Sequence, residues 1–405
     1  MDLSRRVLRR ERRGVATPLP TLADPPVTAG RMWPYYARRV VVNRIAFEAS
    51  LRLMGSRTLS GSPFARYLAH GLDINDVSEA ISHVRGLRGW VANWRAVADG
   101  RTAQGDALLA GGNMVSAARC FFYASLSYHF AQVALFGDAK LKEELSLLSY
   151  AAYAKAAPHF DPPAERVSIP FPGHDLPGYL RLPRGVSQPP VVVNMNGVSM
   201  TKEEFFSWEE EMLARGVATL SFDGPGSGES WYAGLTMVAD YQQVSRAVLD
   251  FLAARPDLDG TRVGLMGVSL GGYLALWMAA ASDPRYRALV TLCAPYNLAR
   301  EYRVVMPLVR HEIQFLFNFD HKRLRQMLRQ PAAQGGLAKQ VQIPTLVIAG
   351  GQDMIVPPRN SRQIYDDLPG EKEMLYFANS GHACYNYIAD VRMAAADWFV
   401  KHLAH

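Results

Sequence analysis

Ser269, Asp353 and His382 are the residues whose types and spacing point most directly to chemistry. Ser269 lies in the segment GVSLG, between the apolar run RVGLM and the helical run GYLALWMAAA. The two glycines leave room for a sharp strand-to-helix turn, which exposes a serine hydroxyl at the end of the strand. The pattern therefore predicts a nucleophile at Ser269, the alternative being a structural serine turn.

A serine nucleophile needs a base and a group that orients the base. Asp353 follows the apolar run PTLVIAGG, and His382 follows EMLYFANSG in a Ser-Gly-His loop. The order Ser, acid, His at the ends of successive strands predicts that Asp353 orients His382, although Asp353 could instead form a turn before Pro357. Four histidines of the first half are interpreted as surface or packing residues: His70, His83, His129 and His159.

An oxyanion formed at Ser269 would need two backbone donors. Leu270, directly after the serine, supplies one N–H group at the start of the following helix. The loop NGVS after the earlier run PVVVNM contains Val198, whose N–H is predicted to be the second donor. An ordinary strand-to-helix turn is the alternative for this loop.

Elements that could position these groups alternate along residues 166–405. Short runs rich in Val, Ile and Leu are separated by helical stretches, which predicts an α/β domain with a mainly parallel sheet covered on both faces. The first two runs, VSIPF and GYLRLP, are expected to form an antiparallel hairpin at the sheet edge. Residues 295–342 form a long, mainly helical interruption and are predicted to be a cap.

The N-terminal part of the chain has a different pattern. Residues 1–30 include six arginines among the first 13 positions and a proline-rich segment, which predicts a flexible leader. Residues 31–165 show apolar residues at helical spacing and are predicted to form a helical domain that serves as a lid. Its aromatic residues near 121–130 are interpreted as core.

Composition excludes several classes of protein. With 405 residues, 49% hydrophobic and 20% charged, the chain is globular and long enough for two domains. The net charge of +7 arises in residues 1–165, which hold 21 basic and 14 acidic residues, whereas residues 166–405 hold 23 of each. Nucleic acid is therefore not an expected partner. The apolar runs are too short to span a membrane.

Three widely spaced cysteines fit neither a disulfide framework nor a zinc site. We therefore expect a cytoplasmic protein with no metal and no cofactor.

Residues 166–405 resemble an α/β-hydrolase of the branch that includes 2,6-dihydroxypseudooxynicotine hydrolase, the fungal yellowish-green polyketide-shortening hydrolases and FrsA-like proteins. The matching segments are NGVSMTKEE, FDGPGSGES, RVGLMGVSLGGYLA, AGGQDMIVP and SGHACYN. The resemblance implies a helical domain before the hydrolase core and a homodimer. It also implies cleavage of carbon-carbon bonds assisted by a glutamate, for which Glu301 occupies the corresponding stretch, although Glu301 could equally be a surface or salt-bridging residue. Asp223 of FDGPG is interpreted as bracing a turn.

Ser269, Asp353 and His382 predict a Ser-His-Asp hydrolase. The resemblance implies that it cleaves ester or carbon-carbon bonds in a small aromatic or polyketide-like metabolite, in secondary metabolism. The alternative is a lyase or cyclase of the same fold, in which His382 acts as base during elimination of a carboxylate. The helical domain and the cap are expected to close an apolar pocket over Ser269. Tyr302, Phe315 and Phe317 are the aromatic residues expected to face the substrate.

Overall fold

The computed structural model describes residues 62–404, except for residues 83, 85, 134, 136 and 137. The predicted leader, residues 31–61 of the predicted helical domain and His83 lie outside the described residues.

Five α-helices precede the sheet within the described residues. They are α1 (Ser62–Ala69), α2 (Ile74–Ile81), α3 (Gly86–Ala110), α4 (Met114–Val133) and α5 (Ala139–Ala156). The helices α3 and α4 approach closely where Gly105 faces the ring of Phe121, since a Cβ at Gly105 would overlap that ring. Phe121, Phe122 and Phe130 are buried, which places the aromatic run in the core of this helical region, as its spacing predicts.

Eight strands form one sheet in the order β1-β2-β4-β3-β5-β6-β7-β8. The strands are β1 (Ala164–Ile169), β2 (Leu176–Arg181), β3 (Val191–Met195), β4 (Ala218–Phe222), β5 (Val263–Val268), β6 (Tyr286–Leu292), β7 (Thr345–Gly350) and β8 (Lys372–Phe377). The strands β1 and β2 pair antiparallel at the edge, β2 pairs antiparallel with β4, and the pairs from β4 to β8 are parallel. The predicted mainly parallel sheet with an antiparallel hairpin at its edge is confirmed.

Helices cover both faces of this sheet. They are α6 (Phe206–Leu213), α7 (Gly228–Tyr232), α8 (Gln242–Ala253), α9 (Leu270–Ala279), α13 (Arg359–Asp367) and α14 (Ile388–Leu403). Every strand from β2 to β7 except β6 is buried along its whole length, because apolar side chains on both faces pack against these helices.

The long connection between β6 and β7 is helical. It contains α10 (Leu298–Val304), α11 (Pro307–Leu316) and α12 (His321–Arg329), followed by two short 3₁₀ turns. We refer to residues 295–342 as the cap. Of the helices in the described part of the chain, none is both long and apolar enough to cross a bilayer.

Candidate active site

Ser269 occupies a strained turn between β5 and α9. Its φ of 57° and ψ of −122° are unusual for a residue with a side chain. A Cβ at Gly267 would collide with Gly271, and a Cβ at Gly271 would collide with the Met195 carbonyl. The glycines are therefore required by contacts on both sides of the turn, and the half-buried serine lies beyond the end of β5.

The loop after β3 lies beside this turn. The parallel register of β3 and β5 aligns Met195 with Gly267, so Val198 and Ser269 both follow the carboxyl ends of neighbouring strands. Gly197 packs against the backbone of Val268, since a Cβ at Gly197 would lie 3.2 Å from the Val268 carbonyl oxygen. Leu270 is the first residue of α9, where backbone N–H groups have no acceptor within the helix. This arrangement is suited to a pair of donors for an oxyanion.

Asp353 and His382 meet at the ends of β7 and β8. The His382 Nδ1 lies 2.7 Å from Asp353 Oδ2. The other oxygen, Oδ1, accepts hydrogen bonds of 2.8 Å from the backbone N–H groups of Ile355 and Val356. An ionised carboxylate only accepts, so Nδ1 carries the proton and Nε2 keeps a free lone pair.

The buried Cys293 lies beside this dyad and contacts a second buried cysteine, Cys384. The backbone N–H of Ser269 donates to the Leu292 carbonyl at 2.8 Å, and the next residue, Cys293, has its sulfur within 4.8 Å of ligand atoms of Asp353 and His382. The pKa of the Cys293 thiol is raised well above its usual value, mainly by a hydrogen bond with Cys384 and also by burial. These contacts bring the segments of Ser269, Asp353 and His382 together at one edge of the sheet.

Asp223 lies close to the loop of Val198 and contacts residues on both sides of that loop. Asp223 accepts hydrogen bonds from Asn196 Nδ2 at 2.8 Å, from the Lys202 N–H at 3.0 Å and from Lys202 Nζ at 2.8 Å. Asp223 therefore braces the turns after β3 and β4, as predicted.

Glu203, Asp223 and Glu229 are close enough to hold a cation, but the Lys202 ammonium already lies within 2.8 Å of an oxygen of each. Burial would lower the pKa of Lys202, yet the three carboxylates outweigh it and raise that pKa. The charge that a metal ion would supply is thus provided by the chain itself. We infer no metal site from this group.

A small cavity of about 40 Å³ lies where the helical region, the cap and the loop of Val198 meet. Its lining comes from all three parts: His129, Gln132, Val133, Lys142, Ser146, Tyr150, Val198, Ser199, Met200, Thr201, Gly226, Ser227, Gly228, Tyr232, Glu312, Phe315 and Leu316. The helical region and the cap thus share one cavity beside Val198. Ser269 is not among the lining residues, so the expected apolar pocket over Ser269 stays a prediction; the cavity beside Val198 is lined by charged Lys142 and Glu312 as well as by apolar residues.

The predicted aromatic residues differ in position. Phe315 lines the cavity and stacks on Trp231 with 4.1 Å between ring centroids. Phe317, which also belongs to the cap, is 3% exposed and packs in the hydrophobic core, while the Tyr302 hydroxyl accepts a hydrogen bond from Gln314 within the cap. Neither Phe317 nor Tyr302 lines this cavity.

Glu301 forms ion pairs in α10. Its Oε1 lies 3.0 Å from Arg300 Nη2 and 3.3 Å from Arg359 Nη2, and the residue is 4% exposed. This geometry matches the salt-bridging alternative, and Glu301 does not line the cavity. A role in carbon-carbon cleavage stays a prediction.

Glu204 is the group whose importance the sequence does not reveal. It is fully buried, with Arg66 Nη2 at 3.1 Å, His129 Nε2 at 3.0 Å and His70 Nε2 at 3.2 Å from its carboxylate oxygens. His70 and His129 are thus buried packing residues, which is one of the two predicted interpretations, and they also form polar contacts with Glu204 between the helical region and the sheet domain. The sequence signal is slight, since Glu204 sits in the run KEE, which is typical of an exposed helix start.

Similarity to known proteins extends over both parts of the chain. The FrsA-like family, described as esterase FrsA-like, matches residues 74–300, and the prolyl oligopeptidase family matches residues 204–405. The protein 2,6-dihydropseudooxynicotine hydrolase of Paenarthrobacter nicotinovorans is 28% identical over 337 residues, covering 83% of this chain and 90% of that protein. Hydrolyase poxO of Penicillium oxalicum is 33% identical over 264 residues, covering 61% of this chain and 60% of its own length.

A solved structure of 2,6-dihydroxy-pseudo-oxynicotine hydrolase has a TM-score of 0.76 to this chain at 27% identity. The match covers 84% of this chain and 95% of the other. The resemblance predicted from the sequence motifs, and the fold that it implies, are confirmed.

Proposed function

Because the chain belongs to the FrsA-like esterase family, we propose that it is a serine hydrolase acting through Ser269, His382 and Asp353. Its substrate is a small aromatic or polyketide-like metabolite of secondary metabolism, cleaved at an ester or a carbon-carbon bond next to an acyl group. The observation that carries the proposal is the 2.7 Å contact of His382 with Asp353 at the sheet edge where Ser269 forms its strained turn.

Attack on the substrate carbonyl begins at the Ser269 hydroxyl. His382 Nε2 takes the hydroxyl proton while Oγ bonds to the carbonyl carbon, and the carbonyl oxygen becomes an oxyanion. The N–H groups of Leu270 and Val198 donate to this oxyanion. Asp353 keeps His382 in the required tautomer and stabilises the imidazolium that forms.

The intermediate then collapses by breaking the bond to the leaving group. The imidazolium of His382 returns its proton to the leaving alkoxide or carbanion, which leaves an acyl group on Ser269. Water, deprotonated by His382, attacks the acyl carbon and releases an acid together with the free serine. Because an enolate is a stabilised carbanion, it can act as the leaving group. The same residues are therefore suited to hydrolyse an ester or a β-dicarbonyl compound.

We propose a homodimer formed partly through the helical region, and a cytoplasmic location that suits three buried, free cysteines. The proposed reaction uses a small-molecule substrate and water, and it requires no cofactor.

Replacement of the nucleophile tests the proposal. Ser269→Ala should reduce hydrolysis of 4-nitrophenyl butyrate by a factor of about 10³ or more, because nucleophile and base act as one unit. Ser282→Ala is the matched control, since Ser282 also has a positive φ of 57° but is exposed elsewhere. A serine-directed fluorophosphonate should label the wild type once, at Ser269, and should not label Ser269→Ala.

Labelled water separates hydrolysis from elimination. In H₂¹⁸O, a hydrolase incorporates one ¹⁸O atom into the released acid, whereas elimination of a carboxylate incorporates none. Retention of more than a tenth of the turnover in Ser269→Ala, or an acid without ¹⁸O, would contradict the proposal and favour the lyase or cyclase alternative.

A further inference from the structure

Two oppositely charged side chains face the same cavity from its two sides. Lys142 lies on α5 of the helical region, and Glu312 lies on α11 of the cap. They are 8% and 7% exposed, and both line the cavity next to Val198. The helical region and the cap thus each contribute a buried charged side chain to the cavity, Lys142 from one and Glu312 from the other.

The contacts of this pair are incomplete. Lys142 Nζ lies 4.0 Å from Glu312 Oε1, which exceeds the length of a hydrogen bond. Lys142 donates to the Gln132 carbonyl at 3.2 Å, and Glu312 Oε2 accepts from Ser199 Oγ at 3.4 Å. A buried charge is costly unless hydrogen bonds satisfy it, so the gap between Nζ and Oε1 favours a group that bonds to both.

Burial also shifts the titration of the pair. Desolvation lowers the pKa of Lys142 and raises the pKa of Glu312, and the attraction between the two groups opposes both shifts. Arg66 and His129 add positive charge that favours the ionised form of Glu312. The geometry, with Nζ 4.0 Å from Oε1, places a lysine nitrogen and a carboxyl oxygen where one bound group can contact both.

The Lys142–Glu312 pair lies beside the loop that holds Val198. Ser199, which contacts Glu312, directly follows Val198, the proposed second oxyanion donor. Phe315 lines the cavity one helical turn beyond Glu312 on α11 and lies 5.2 Å from Lys142 Nζ, measured from the ring centroid. A group held between Lys142 and Glu312 would thus lie beside the aromatic ring of Phe315 and beside the loop that holds Val198.

We propose that Lys142 and Glu312 form a subsite that binds a phenolic or enolic hydroxyl of the substrate, next to the carbonyl that Ser269 attacks. A hydroxyl group accepts a hydrogen bond from the Lys142 ammonium and donates one to the Glu312 carboxylate. A carbonyl oxygen has no proton to donate to Glu312 Oε1, and a carboxylate would be repelled by the Glu312 carboxylate. The inference rests on the proposed function for the identity of the attacked carbonyl, and it narrows the substrates to hydroxylated aromatic or enol-forming carbonyl compounds.

Binding to the Ser269→Ala variant tests the subsite without turnover. The probes are 1-(2-hydroxyphenyl)butan-1-one, 1-(3-hydroxyphenyl)butan-1-one and the parent 1-phenylbutan-1-one, with dissociation constants measured by quenching of tryptophan fluorescence. A hydrogen bond to a charged group favours binding by a factor of about ten or more. We expect at least one hydroxylated ketone to bind at least about tenfold more tightly than the parent.

The decisive variant is Ser269→Ala combined with Lys142→Met and Glu312→Leu. Replacing both members of a buried pair with apolar residues of similar shape leaves folding nearly unaffected, whereas removal of one member leaves the other charge unpaired. We expect this variant to lose the preference for the hydroxylated ketone and to retain affinity for the parent. Lys140→Met in the Ser269→Ala background changes an exposed lysine of α5 and should keep the preference.

Each contrary result has a defined meaning. Equal affinities for all three ketones in Ser269→Ala, no binding of any ketone, or a preference that survives in the triple variant would overturn the subsite. None of these results depends on whether Ser269 is reactive. Failure of phosphonate labelling at Ser269 would instead overturn the proposed function and leave the binding comparison valid.

Discussion

Glu204→Gln should reveal how strongly the helical region is held to the sheet domain. The Glu204 carboxylate is fully buried and lies within 3.2 Å of nitrogen atoms of Arg66, His70 and His129, all from the helical region. Glutamine has the same shape and can still accept the 3.3 Å hydrogen bond that Glu204 Oε1 receives from the Thr201 N–H. The substitution thus removes the negative charge with little change in packing.

The size of the effect follows from the charges that remain. At the 3.1 Å distance between Arg66 Nη2 and Glu204 Oε2, two unit charges attract by about 5 kcal/mol with an effective dielectric constant of about 20. Desolvation offsets part of this attraction, and loss of one partner of a buried pair costs about 3–5 kcal/mol in total. We expect the free energy of unfolding to fall by about 3–5 kcal/mol. Turnover should fall too, because Arg66 also donates to the Ser199 carbonyl at 3.4 Å, beside Val198.

Urea unfolding monitored by tryptophan fluorescence measures this loss. Asp106→Asn is the control, because Asp106 pairs with Lys155 at 2.8 Å while both side chains are about half exposed, and such surface pairs contribute about 0–1 kcal/mol. An equal loss in Glu204→Gln and Asp106→Asn, within about 0.5 kcal/mol, would refute the reasoning that this buried carboxylate joins the two regions.

The same carboxylate predicts a pH dependence. Burial alone would raise the pKa of Glu204, but the positive charges of Arg66, His129 and His70 outweigh it and hold that pKa well below the usual range. A depressed folded-state pKa stabilises the protein above the unfolded-state pKa of about 4.3, and this contribution is lost as the pH falls toward the folded-state value. The wild type should therefore lose stability below about pH 4.3 more steeply than Glu204→Gln.

Two further substitutions test the turn of Ser269 and the ion pairs of Glu301. Gly271→Ala should abolish turnover, because the added Cβ collides with the Met195 carbonyl; Gly100→Ala, with open space around it, should have wild-type activity in the same ester assay. Glu301→Gln should lower turnover of an activated aryl ester and of a β-diketone equally, because Glu301 pairs with Arg300 and Arg359. A loss confined to the β-diketone would instead indicate a role in carbon-carbon cleavage.

Local motifs explain why much of the fold and part of the candidate site could be predicted. Ser269, Asp353 and His382 each follow a short apolar run, and the parallel strands that these runs form end at one edge of the sheet. Chain order and strand pattern are therefore enough to place these residues on the same side. The glycines beside Ser269 also indicate that the backbone approaches closely at this turn. In the structure, an added Cβ at Gly267 or Gly271 would collide with neighbouring backbone atoms.

The residues that cover the site carry no comparable local signal. Glu312 lies 170 positions after Lys142, and Glu204 lies 138 positions after Arg66. Their pairing depends on how the helical region and the cap pack on the sheet domain, which hydrophobic periodicity does not encode. A charged residue in a helical pattern is most often exposed, so the sequence predicts that Glu204 and Glu312 are exposed. In the structure both are buried.

The buried charges of the run KEE (residues 202–204) lie directly after the loop that holds Val198, so their pairing affects the position of that loop. Lys202 and Glu204 are both fully buried, and they follow the loop that holds Val198. Lys202 is neutralised from within the sheet domain by Asp223, whereas Glu204 is neutralised by residues of the helical region. Neither charge is satisfied until its partners are in place, so the segment after Val198 acquires its position only when both regions have packed together. A helical region that separates from the sheet would therefore displace Val198, the proposed second oxyanion donor, while Ser269, Asp353 and His382 stay on their strands.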